Sequence, residues 1–258
     1  MGLVMVDLAK LIEGIPKTQK IYLDNMYLRN LSVRVLRVYT TRGKRIYVIT
    51  DKTIFHPKGG GQPSDKGWIR GTGFEVEVKK VLERNGVVIH YGKLKNGITE
   101  IMDENVELQL DWNHRYRIMR IHTAGHILDQ AVHEVYGRTV ETIDALHGPP
   151  EPYTEYRAFP PSSSMLRLIE ERANRIVAED RRVKVVYARP GELDAYVLNA
   201  PNMKRLPRAE LYRIVVIEGI NAIPCTGTHV SNTREVGSIT VCKAEETEQG
   251  FRLYYDVV

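Results

Sequence analysis

The apolar positions of this chain change period near residue 110. From Ile21 to Ile49 they recur every second residue, with Val33, Val35, Leu36 and Val38 before the turn-like Arg42-Gly43-Lys44 and Ile46, Val48 and Ile49 after it. That is the pattern of half-buried strands. Phe74, Val76 and Val78, then Val87, Val88 and Ile89, then Val106, Leu108 and Leu110 continue it, bounded by glycines or polar residues. Short strands in close succession with little helix between them predict a small β-barrel. Ahead of them a brief apolar repeat, Leu3, Val6, Leu8, Leu11 and Ile12, predicts a short helix ended by Gly14 and Pro16.

After Asp111 the spacing becomes three and four. Ile118, Ile121, Ile127, Leu128, Ala131, Val132 and Val135 lie on one helical stripe that Gly137 terminates. The segment Thr139–Ser164 holds five prolines, which forbid a long helix, and it reads as a loop or a pair of edge strands able to wall a pocket. A second helix runs from Ser164 to about Arg182, strands follow at 183–187 and 212–217, and a basic loop, Lys204 to Arg208, lies between those strands. The change of period divides the chain into a domain of residues 1–110 and another of residues 111–258, in keeping with a length of 258 residues.

The helix carries the first candidate chemistry. His122 and His126 are four apart and stand one turn above each other on one face, a metal-ligand spacing that solvated histidines share. Cys225 and His229 repeat the spacing in a glycine-containing turn, 99 residues beyond His126. Three imidazoles and a thiolate make a donor set suited to zinc. The long separation excludes a zinc finger and predicts a site tying the helix to a distant turn. Zinc proteases place a glutamate directly after the first histidine as general base, and Thr123 stands there instead, which disfavours a protease. Four protein ligands close a tetrahedral site, whereas a catalytic zinc keeps a position open. Either one of the four is a weak or absent ligand, or the metal expands its coordination.

Within the predicted barrel, Phe55 to Asp65 contains three consecutive glycines, Gly59, Gly60 and Gly61, followed by Gln62. Such a run calls for unusual backbone dihedrals or the close approach of another group. It is not a phosphate loop, since no helix pattern follows and no Lys-Ser/Thr pair closes it. It reads either as a flexible hairpin tip or as a substrate-contacting loop with Gln62 and Asp65 as polar handles.

Composition adds three bounds. No apolar run is long enough for a membrane span and no signal-peptide pattern opens the chain, so a soluble, cytoplasmic protein is expected. Cys225 and Cys242 are too few for a disulfide framework. The net charge of +5 is concentrated early: residues 1–110 hold 18 Lys and Arg against 12 Asp and Glu, whereas the remainder holds 19 against 20. A polyanionic partner and a merely solvated basic surface both fit this distribution.

Taken together, the two histidine-containing segments, the Gly59-Gly60-Gly61-Gln62 stretch and the Cys225 to His229 turn resemble the AlaX family of alanyl-tRNA editing proteins and the editing domain of alanyl-tRNA synthetase. The resemblance covers nearly the whole chain beyond residue 20. It implies an α+β fold, with an N-terminal small β-barrel followed by an editing domain of helices and antiparallel sheet. It also implies a free-standing enzyme that hydrolyses mischarged tRNA for alanine, chiefly seryl-tRNA with glycyl-tRNA as a second target, by means of a zinc-associated water. The implied zinc ligands are His122, His126, Cys225 and His229, which together with Gln62 are the implied catalytic residues. Gly59, Gly60, Gly61, Asp65 and Thr228 are the implied substrate contacts, and Thr139 or Thr142 the implied partner of the serine hydroxyl. Backbone donors of the Cys225 to His229 turn are expected to stabilise the oxyanion. Thr226, Gly125 and His56 depart from residues common in the family without removing a ligand. They leave open a seryl-tRNA(Thr) deacylase, because threonyl-tRNA synthetases carry a related domain, and a zinc-stabilised RNA-binding module without catalysis and a metal-dependent hydrolase of small esters or amides are the remaining alternatives.

Overall fold

The computed structural model describes residues 7–97 and 104–258. Among these, the chain forms two compact units, one from the residues up to Gly59 with Ser64–Arg115, the other from Gly60–Pro63 with Tyr116–Val258. The glycine-rich stretch is therefore divided, its last glycines and Gln62 grouping with the second unit. Leu3 and Val6 of the expected N-terminal helix lie outside the described residues; the remainder forms one helical turn, Leu8–Leu11, capped by the Asp7 carboxylate.

The first unit is a closed barrel of six antiparallel strands: β1 (Asn30–Thr41), β2 (Arg45–Thr50), β3 (Gly67–Gly71), β4 (Phe74–Arg84), β5 (Val87–Asn96) and β6 (Asn105–Leu110). Their order around the barrel is β1-β2-β5-β4-β3-β6, with β6 pairing back to β1. Alternation sets the lining: Val106, Leu108 and Leu110 point inward with Val33, Val35, Ile46, Val48 and Val76, while their sequence neighbours face out. Sequence periodicity missed β3, whose Gly67-Trp68-Ile69-Arg70-Gly71 offers a single buried aliphatic, Ile69.

The second unit is built on α1 (Trp112–Tyr136) from Tyr116 onward, its first four residues grouping with the first unit. Asp111 caps it, its carboxylate accepting the His114 N–H at 3.2 Å, and the chain turns off at Gly137 with φ of 66°. From Ile118 to Val132 the helix is buried on nearly every side, so it is the core of the unit and not a surface helix. A four-stranded antiparallel sheet contains β7 (Thr142–Leu146), β8 (Tyr153–Tyr156), β12 (Ile239–Thr247) and β13 (Gly250–Val257) in the order β12-β13-β8-β7. Between β8 and β12 in sequence come α2 (Ser163–Ala178) and a three-stranded antiparallel sheet of β9 (Val183–Ala188), β10 (Tyr212–Ile217) and β11 (Asn221–Pro224). The proline-rich stretch thus forms two strands, of which β7 is an edge and β8 is interior, its outer neighbour being β13. Helix α2 stops at Ala178, four residues before its expected end, because the chain turns through Asp180 at φ of 53°. The fold is α+β, as the resemblance implied. No helix among the described residues is long and apolar enough to cross a membrane.

Candidate metal centre

His122 and His126 project from the middle of α1, and Cys225 and His229 from the turn that follows β11. One potential ligand atom from each of the four lies within 4.8 Å of all the others. The Cys225 Sγ stands 3.5 Å from both His122 Nε2 and His229 Nε2. His122, His126 and His229 are almost wholly buried.

The surrounding hydrogen bonds fix which ring nitrogen faces the cluster. The Thr228 N–H donates to Gln62 Oε1 at 2.8 Å, which identifies that atom as the amide oxygen. The same oxygen lies 2.8 Å from His122 Nδ1, so Nδ1 carries the proton and Nε2 keeps its lone pair for the cluster. Thr123 does the same for His229: its hydroxyl donates to the Met119 carbonyl at 2.8 Å and accepts at 3.1 Å from His229 Nδ1. Where a zinc protease keeps its glutamate, this chain therefore keeps a tautomer-setting hydroxyl. His126 Nδ1 is buried without a hydrogen-bond partner.

Electrostatics favour a neutral imidazole at His126. Burial pushes His126 down to about 3, with His147 and Arg213 adding to it, and pushes the Cys225 thiol up against the opposing pull of Arg213 and the Gly227 N–H. A neutral imidazole beside a thiol held in its protonated form gains from a bound cation. The four residues can hold a metal ion.

The cysteine turn is pinned from behind. Arg213, on β10, donates to the Cys225 carbonyl at 2.6 Å and to the Gly227 carbonyl at 3.0 Å. Gly227 is required by close approach: a Cβ there would overlap the His122 ring and lie 2.7 Å from Gln62 Oε1. The N–H groups of Cys225, Gly227, Thr228 and Val230 donate to the Arg213 carbonyl, Cys225 Sγ, Gln62 Oε1 and Thr123 Oγ1. They are thereby withdrawn from the oxyanion role expected of this turn, which leaves Thr226 on the cavity wall.

A cavity of about 560 Å³ opens on the cluster, walled by His122, His126, Cys225 and Thr226 together with Gly60, Gly61 and Thr142. Gly60 and Gly61 have φ of 57° and 77°, so the glycine run meets a real left-handed requirement. Thr142, not Thr139, reaches the cavity; Thr139 bonds His133 on the exposed side. Gly59 is not on the wall, and Thr228 is fully buried behind it, its hydroxyl accepting from Gln62 Nε2 at 3.0 Å. Asp65 departs furthest from expectation. It belongs to the first unit, wholly buried against Arg115 and the His56 N–H, and does not line the cavity.

Three cavity residues escaped sequence reasoning. Asp129 follows the histidines on the same helical face, a signal that three-and-four spacing carries. His147 stacks on the His122 ring at 4.4 Å between centroids and pairs through Nδ1 with the Tyr255 hydroxyl at 2.7 Å. Nothing local distinguishes it, because its place depends on β13. Arg205, from the loop that reads only as basic, donates to the Thr142 hydroxyl at 3.0 Å and the Ile143 carbonyl at 2.8 Å.

Comparison with known proteins agrees with this geometry. Residues 25–114 match the family described as tRNA synthetases class II (A), and residues 212–254 match the threonyl and alanyl tRNA synthetase second additional domain. The chain is 34% identical over 230 residues to the alanyl-tRNA editing protein AlaX-L of Pyrococcus horikoshii, across 87% of this chain and 54% of that protein. This similarity is to a member of the AlaX family of alanyl-tRNA editing proteins. The chain is also 35% identical over 245 residues to an alanine–tRNA ligase of Staphylothermus marinus, across 92% of the chain and 26% of the ligase. A ligase of Saccharolobus islandicus is 30% identical over 255 residues, 96% of the chain and 27% of the ligase. The chain thus spans about half the length of AlaX-L and about a quarter of the ligases.

Proposed function

We propose that this chain is an aminoacyl-tRNA deacylase that removes serine, and secondarily glycine, from mischarged tRNA for alanine at the His122, His126, Cys225 and His229 cluster. The observation that carries the reading is the opening of that cluster onto a cavity: three of the four side chains are wall residues, whereas a purely structural site would be closed. Zinc is the metal this donor set suits, and when bound it supplies Lewis acidity towards a carbonyl and lowers the pKa of a water.

The chain's own residues supply orientation and selection. Gln62 and Thr123 hold the His122 and His229 rings in the tautomer that presents Nε2. Thr142 accepts from Arg205, which leaves its hydroxyl proton to donate to the side-chain oxygen of a seryl group. Alanine offers no such oxygen and would leave that buried hydroxyl unpaired, a penalty of the kind that gives discrimination of roughly 10⁴-fold in sites built to bond a substrate hydroxyl. The tRNA partner rests on the family and on the basic surplus of residues 1–110.

The test is release of serine, glycine and alanine from tRNA for alanine, with seryl-tRNA for threonine as a further substrate. Serine leaving much faster than alanine is the expected outcome, and Thr142→Val collapses the difference. Equal rates, or no hydrolysis, would remove the reading; preference for the threonine tRNA would change its substrate.

A further inference from the structure

The helix that carries His122 and His126 brings a third polar side chain to the same cavity. Asp129 follows His126 by three residues and His122 by seven, so the three share a face, with Asp129 displaced from His126 by about 4.5 Å along the axis. Its carboxylate is held from one side only: the Tyr156 hydroxyl donates to Oδ1 at 2.8 Å. Among the described residues no cation forms an ion pair with it, although the cavity is rich in arginine. Arg205 is committed to the Ile143 carbonyl and the Thr142 hydroxyl, and Arg213 to the carbonyls of the cysteine turn. Asp129 does not belong to the group of four metal ligands. Asp144, the other carboxylate on the wall, is exposed and accepts from the Tyr153 hydroxyl at 2.7 Å.

A half-buried carboxylate tethered by a single hydroxyl is incomplete without a cation. Burial accordingly lifts its pKa to about 7, against the opposing pull of the Tyr156 hydrogen bond and the Arg205 charge. An ammonium brought beside it would restore the charge and supply N–H donors. In an aminoacyl ester the ammonium sits one bond from the carbon that bears the carbonyl, so a carbonyl held at the cluster keeps the ammonium within a helical turn of His126. We infer that Asp129 binds the α-ammonium of the esterified amino acid and makes a free α-amine a requirement of the substrate. This rests on the deacylase reading and extends it from the hydroxyl to the amine.

The experiment compares kcat/KM for seryl-tRNA and N-acetylseryl-tRNA, both on tRNA for alanine, in the wild-type protein, Asp129→Asn and Tyr156→Phe. A hydrogen bond to a charged group corresponds to about 10- to 100-fold in affinity. The wild-type preference for the free amine therefore falls by that factor in Asp129→Asn, mainly through KM. The asparagine still accepts from Tyr156, and unchanged metal content together with an unchanged unfolding midpoint separates the effect from misfolding. Tyr156→Phe loses the tether but retains the carboxylate and the preference. An equal loss on both substrates in Asp129→Asn, or an unaltered preference, overturns the assignment of the amine to Asp129 while leaving the deacylase intact. Absence of hydrolysis by the wild-type protein removes the deacylase reading and the amine site with it.

Discussion

Gln62 Oε1 accepts from two donors at once, His122 Nδ1 and the Thr228 N–H, each at 2.8 Å. A residue that reads in sequence as a loop-tip handle is thus buried, orienting one candidate ligand ring and bracing the turn that bears two other candidates. Gln62→Ala leaves the Thr228 N–H without an acceptor and His122 free to change tautomer. The expected cost is about 1–3 kcal/mol of stability and a metal affinity weaker by roughly 10- to 100-fold. Denaturant unfolding and competition against a chelator measure the two.

Asp65 offers a contrasting prediction. Its carboxylate accepts Arg115 Nε at 2.8 Å and the His56 N–H at 2.5 Å, and both charged side chains are fully buried. Removing one partner strands a buried charge. Asp65→Ala is expected to destabilise the barrel unit by about 3–5 kcal/mol, read as a shift in urea midpoint, and it removes no lining residue of the cavity at the cluster.

The barrel also holds an acid-sensitive group. His90 is fully buried, its Nδ1–H donating to the Val48 carbonyl at 3.0 Å and its Nε2 accepting from the Thr53 hydroxyl at 2.8 Å. Burial takes its pKa down from 6.5 to about 4, partly offset by the Val48 bond. The folded value lies below the unfolded one, so protonation favours the unfolded chain. Stability present above pH 6.5 is lost as pH falls through 6.5 towards 4, by about 3 kcal/mol over the window. Urea midpoints between pH 7.5 and 4.5 should fall more steeply in the wild-type protein than in His90→Gln.

Much of this was legible in the chain because local patterns and global burial agree. Five barrel strands follow period-two apolar positions, α1 follows its three-and-four stripe to the glycine stop, and the four metal-ligand candidates stand out by spacing alone. Strand β3 was not visible, having one buried aliphatic between two glycines. Strand β12 was not visible either, since its residues are mostly polar and exposed and it is held by pairing with β13. The alternation of Phe251, Leu253, Tyr255 and Val257 in β13 was there to be read. The site's supporting residues are legible in proportion to their dependence on distant partners. Asp129 carries a helical signal, whereas the role of His147 exists only once Tyr255 and His122 are in place. Asp65 was misassigned because proximity to the glycines suggested a cavity, and the partner that buries it, Arg115, lies 50 residues away.

The central claim is that the histidine and cysteine cluster of the second unit is the centre of a deacylase. It is tested most directly by the rate of serine release from seryl-tRNA for alanine by protein stripped of metal and then titrated with zinc. The expected rate is at background in the stripped protein, restored at about one zinc per chain and not restored in Cys225→Ala. Full activity of the stripped protein, or full activity of Cys225→Ala, would contradict it.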